Sequence, residues 1–137
     1  MLNMTLDQYE YSVVDYGRAT NLKLYEEDKA TLFTGTGYEG VIQGFKRRND
    51  GTFYWWNDVT RGLAVSGIGA QVVSNIDISF TVGNNTGTFA FTKDNLPSIP
   101  GYLWLKAVLF KGGTGLNDAT EVVSSDFVRV LIVMGRT

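Results

Sequence analysis

Cysteine and histidine are both missing from the 137 residues. Without cysteine there is no disulfide, no thiolate nucleophile and no sulfur-based metal site. Without histidine the commonest general base and the commonest zinc ligand are gone, and the usual serine triad cannot be assembled. The lack of disulfides does not by itself fix a compartment. Met1-Leu2-Asn3-Met4-Thr5 leads into no apolar run, so no secretory signal is expected. No stretch approaches the about 18 consecutive apolar residues of a membrane-spanning helix. The formal net charge is −2, so the broad basic footprint of a nucleic-acid binder is lacking. These absences point away from an enzyme and imply no cofactor and no metal.

What is present is globular. Hydrophobic residues make up 44% and charged residues 19%, enough apolar matter for a core and too little charge for a disordered chain. The length suits a single domain, residues 1–137, which can bury its core without a staple. Short runs rich in valine, isoleucine, threonine and aromatics alternate with turn clusters, the pattern of an all-β sandwich or barrel. Strands are expected at 9–15, 21–27, 38–48, 52–57, 62–66, 71–82, 87–92, 102–111 and 121–134. Asn49-Asp50-Gly51 is a hairpin signal, and Asn84-Asn85 reads as a turn. Residues 94–101 read as a loop with one helical turn at 94–98. The glycine-rich 112–118 reads as a mobile linker. No segment holds a helical period.

Two features favour an immunoglobulin-like antiparallel β-sandwich. The chain ends in a hairpin of long, strongly apolar strands. Tyr102 follows Gly101 at the start of the first of them, where such sandwiches place a corner tyrosine bonded to nearby backbone. The plainer alternative is a tyrosine that merely opens the strand.

Motifs for chemistry are weak. Gly35-x-Gly37-x-x-Gly40 matches a dinucleotide fingerprint in letters, but that fingerprint needs a helix after it, and Val41-Ile42-Gln43-Gly44-Phe45 reads as a strand. Gly112-Gly113-Thr114-Gly115 lacks the lysine of a phosphate loop. Glu26-Glu27-Asp28 could be offered to calcium, yet adjacent strand residues point in alternating directions, so a solvated strand end is the better reading. Lys46-Arg47-Arg48 reads as a solvated basic turn.

Aromatic and apolar patterning is more informative. Phe53-Tyr54-Trp55-Trp56 must coat both faces of its strand. In the first of the last two strands, Leu103, Leu105, Ala107 and Leu109 make one apolar face. The other carries Tyr102, Trp104, Val108 and Phe110 around a lone Lys106. In the second, Val122, Val128, Val130 and Ile132 make the even face, and Val123, Phe127, Leu131 and Val133 the odd one. A free sandwich shows one polar face per sheet. This outer face is therefore expected to be covered, by a loop of the same chain or, as favoured here, by another subunit. Tyr54, Trp56, Trp104 and Phe110 are the expected interface residues.

The chain resembles the N-terminal domain of phage baseplate upper proteins, which also occurs in related fibre-bearing virion proteins. The likeness is carried by Leu32-Phe33-Thr34-Gly35, by Val41-Ile42-Gln43-Gly44-Phe45-Lys46-Arg47 with Asn49-Asp50-Gly51-Thr52, by Pro100-Gly101-Tyr102-Leu103-Trp104-Leu105, and by Ser124-Ser125-Asp126-Phe127-Val128-Arg129-Val130. It spans residues 20–133. The resemblance implies a β-sandwich located in the virion and assembled in the host cytoplasm. It also implies no catalytic residues, and partners among capsid, tail or fibre subunits or further copies of the chain. Baseplate proteins continue well past this domain, whereas this sequence stops at Thr137. The expectation is then either a trimmed piece or a free-standing protein suited to capsid decoration, cementing or connecting. A carbohydrate-binding module with an aromatic platform of Tyr54, Trp55 and Trp56 is the alternative function.

Overall fold

The computed structural model describes residues 1–47, 49–51, 53–57, 62–64, 75–81, 83–92, 96 and 100–134, and for 53–57, 62–64, 75 and 117 the backbone alone. Twelve strands are described: β1 Asn3–Leu6, β2 Glu10–Ser12, β3 Ala19–Tyr25, β4 Glu39–Arg47, β5 Phe53–Asn57, β6 Gly62–Ala64, β7 Asn75–Asp77, β8 Ser79–Phe80, β9 Thr86–Ala90, β10 Gly101–Lys111, β11 Glu121–Ser124 and β12 Val128–Val133. The smaller sheet runs β1-β3-β9-β8. The larger runs β2-β12-β10-β4-β5-β6, with β11 beside β10 and β7 beside β4.

The expected all-β architecture of two sheets is what the chain adopts. The finer expectation, an immunoglobulin-like antiparallel sandwich, needs correcting. The larger sheet is strongly curled, and it is mixed because β2 lies parallel to β12, pairing Leu131 with Glu10 and Ile132 with Tyr11. The N-terminal segment causes this. β1 pairs antiparallel with β3, and the chain then crosses at Asp7-Gln8 to join the other sheet as β2. A parallel bridge from Leu2 to Ser125 ties the two sheets together.

Strand β10 organises the core. Leu103, Leu105, Ala107 and Leu109 are each 0–1% exposed. They meet Leu22 and Leu24 of β3, Phe89 of β9, Val130 and Ile132 of β12 and Tyr11 of β2 in one cluster. The period-two pattern of β3 and β10 thus comes from inward side chains meeting between the sheets.

The last two strands alternate differently from the simple reading. Val108 pairs with Ser124 and Leu105 with Val128. Between those pairs β10 contributes two residues, 106 and 107, and the returning strand three, 125 to 127. The extra residue is a β-bulge. The Ser125 hydroxyl accepts the Ala107 N–H at 2.9 Å, and the Ser125 N–H donates to the Ala107 carbonyl at 2.9 Å. The bulge reverses parity, so Val123 faces the core with Val128, Val130 and Ile132, while Val122 joins the outer side. The single even face expected across 122–132 does not exist.

Of the strand expected over 71–82, residues 71–74 and 82 lie outside the described residues, and the described part divides. β7 pairs with β4, while β8 pairs with β9 in the other sheet, and the switch falls at Ile78, whose N–H donates to Gly40. The helical turn expected at 94–98 lies outside the described residues, Leu96 excepted.

Candidate functional site

The outer face of the β4-β10-β12 layer is the candidate site, and it falls into two halves. In the first, Val41, Val108 and Phe110 are 5–7% exposed and pack with Leu116 and Ala119. Those two belong to residues 112–120, a strap folded back over the sheet. The strap is held by Asp118, whose carboxylate accepts the Thr114 N–H at 2.9 Å, the Thr114 hydroxyl at 2.7 Å and the Gly115 N–H at 2.8 Å. These bonds, that of the Thr114 hydroxyl foremost, hold the Asp118 pKa below its ordinary value. Gly113 is required here: its φ is +71°, and a β-carbon would lie 2.4 Å from the Asp118 carbonyl oxygen. The stretch read as a mobile linker is an internally bonded cover.

The second half is the more open one through Tyr102 and Arg129, which are exposed, whereas Trp104, Lys106 and Phe127 are half-buried and Phe45 is buried. Register brings Phe45 of β4 opposite Trp104 of β10, and Trp104 opposite Arg129 of β12. Phe127, the last residue of the bulge, meets Phe45 edge-to-face at 5.1 Å between ring centroids. Three cations lie over these rings. The Arg129 guanidinium is 4.2 Å from the Tyr102 ring and 5.8 Å from that of Trp104. Arg47 lies 5.5 Å from Trp104. The Lys106 ammonium stands 5.3 Å from Phe45 and 5.6 Å from Phe127. Such contacts are worth about 0.5–1 kcal/mol each where exposed and more where water is excluded. Lys106 is half-buried, and that burial lowers its pKa. Tyr102 is 50% exposed.

The four residues expected at the interface fare differently. Trp104 lies on the open half, partly buried between two guanidinium groups. Phe110 lies under the strap, so the cover expected for this part of the sheet comes from the chain itself. Tyr54 pairs with Lys46 and Trp56 with Leu63. Their side chains lie outside the described residues, as does the proposed aromatic platform. Among the described residues the Tyr102 hydroxyl makes no corner bond to the backbone. Its ring lies under Arg129, and its carbonyl accepts a 2.7 Å hydrogen bond from Lys46, whose pKa burial lowers.

Reading the sequence alone missed Arg47, dismissed as part of a basic turn, and Arg129. Their signal was available only as single cations at alternate positions beside aromatics, and it becomes a site once register joins three strands distant in sequence.

The other motifs have structural duties. Asp28 accepts N–H bonds from Ala30 and Thr31 at 2.9 and 2.8 Å, closing its own turn, and Glu27 pairs with the N-terminal ammonium at 2.6 Å. Gly40 of the glycine motif lies in β4. Asn84, 4% exposed, exchanges two bonds with the Tyr38 backbone.

No protein-family model matches the chain, and no curated protein sequence matches it.

Proposed function

We propose that this chain is a non-enzymatic structural component of a tailed-phage virion that works through protein–protein contacts. It would serve as a capsid-decorating or cementing module, or anchor a fibre or baseplate part. The virion assignment is supported by the sequence resemblance. The mode of action is supported chiefly by one observation, the open half of the outer sheet face, where Tyr102 and Trp104 stand among three cations on a rigid three-strand floor. Aromatic residues and arginine are the types enriched at protein interfaces, and a sheet holds them without loop reorganisation. The lack of histidine and cysteine supports the non-enzymatic reading.

Quantitative mass spectrometry of purified particles from the source virus tests the proposal. Hundreds of copies per particle fit capsid decoration, and a few to a few tens fit a tail, baseplate or fibre anchor. Absence from particles refutes the virion reading and turns attention to glycan screening.

A further inference from the structure

The open half of the outer face carries two cations close to its rings, and the acidic Glu10 of β2 lies one strand further out, opposite Leu131. Lys106 is withdrawn from water between Phe45 and Phe127, and Arg129 lies over Tyr102 and Trp104. Among the described residues neither cation pairs with a carboxylate, and the two described ion pairs, Met1–Glu27 and Lys111–Glu121, lie elsewhere. The two rings offset only part of the cost of a half-desolvated ammonium that has no anion. A guanidinium over a ring face still offers N–H donors at its edge, in a fork that matches a carboxylate. Beside Arg129 the Tyr102 ring is 50% exposed, apolar surface that a carbon-rich group can cover.

We propose that this half-face is the docking site for an acidic segment of a partner protein. Its carboxylates meet Lys106 and Arg129, and an apolar or aromatic side chain beside them covers Tyr102. The inference rests on the protein-contact reading above and supplies the chemistry of the partner. Charge complementarity carries it. A single-stranded nucleic acid fits less well: it needs rings with open faces on which bases can stack, whereas Phe45 is 5% exposed and the Tyr102 ring lies under Arg129.

The test uses the full chain and a fluorescein-labelled random copolymer of glutamate and tyrosine, followed by fluorescence anisotropy. The copolymer is expected to bind, to weaken as salt is raised, and to bind about tenfold or more weakly to Arg129→Glu and to Lys106→Glu. Circular dichroism and melting establish that each variant is folded. If Lys106→Glu unfolds, Lys106→Gln and the exposed Arg129→Glu decide. No binding by the wild type, or binding that survives both charge changes, overturns the inference. So does tighter binding of a thymidine oligonucleotide. Self-association of the wild type that Arg129→Glu abolishes overturns it too, since the face would then belong to a second copy. Particle copy number is independent of all of these, so a chain present in particles that ignores the copolymer loses this inference alone.

Discussion

The Tyr11 and Thr20 hydroxyl oxygens lie 2.6 Å apart in the core and join the larger sheet to the smaller one. Both residues are fully buried. Tyr11→Phe leaves the Thr20 hydroxyl without this partner and is expected to cost about 1–3 kcal/mol in urea denaturation. The double variant with Thr20→Val removes both polar ends and should cost clearly less than the sum of the single changes. Strict additivity would show that the two hydroxyls act independently.

The same burial pushes the Tyr11 pKa up to about 12 from an ordinary 10. A raised pKa means that the unfolded chain gives up this proton first. The contribution is therefore intact below pH 10 and is lost as pH rises from 10 towards 12. The denaturation midpoint should fall over that window in the wild type and fall less in Tyr11→Phe. Equal slopes would remove Tyr11 as the cause.

Adjacent residues of β10 should behave oppositely. Leu105 is fully buried in the core, and its change to alanine should cost about 2–5 kcal/mol. Trp104 faces outward, so Trp104→Ser should leave the fold intact and instead weaken incorporation into particles. An unfolded Trp104→Ser protein would place that ring in the core and defeat the interface assignment.

Gly87 of β9 pairs with Phe80, and a β-carbon there would lie 2.7 Å from the Ser79 carbonyl oxygen. Backbone cannot yield as a side chain does. Gly87→Ala should therefore destabilise by about 1–3 kcal/mol, with faster hydrogen exchange concentrated in β8 and β9. Unchanged stability would show that the approach is looser than described.

Asp118 closes the strap's own turn, so Asp118→Ala should loosen the strap, uncover Val41, Val108 and Phe110 in part and raise binding of an apolar dye such as ANS. The latch depends on the carboxylate. Because its pKa is lowered, the latch holds above the ordinary value of 3.8 and is lost as pH falls through the lowered one. Dye binding should rise over that range in the wild type and change less in the variant. A variant that binds no more dye than wild type would mean that packing by Leu116 and Ala119 suffices.

Much of the strand inventory was legible because period-two alternation is strong where one face is buried. β3, β4, β9 and β10 all lie where the hydropathy pattern puts them, and Asn49-Asp50-Gly51 joins β4 to β5. β1 was passed over although Leu2, Met4 and Leu6 alternate and are 4–8% exposed, since so short a run at a chain end carries little pattern. The parallel β2–β12 pair and the bulge at 125–127 leave no mark in hydropathy. One is a choice of neighbour, and the other shifts parity by a single residue. The cationic rings of the site were visible singly, Lys106 most clearly. Their assembly depends on register between β4, β10 and β12, which no local pattern encodes.

Hydroxyl-radical footprinting of Tyr102 and Trp104, in the free chain and in purified particles, tests the central claim most directly. The account predicts that Tyr102, half exposed in the free chain, is oxidised readily there and protected several-fold in the particle, with Trp104 following it. Equal oxidation of Tyr102 in both states would contradict the claim that the open face is the contact surface.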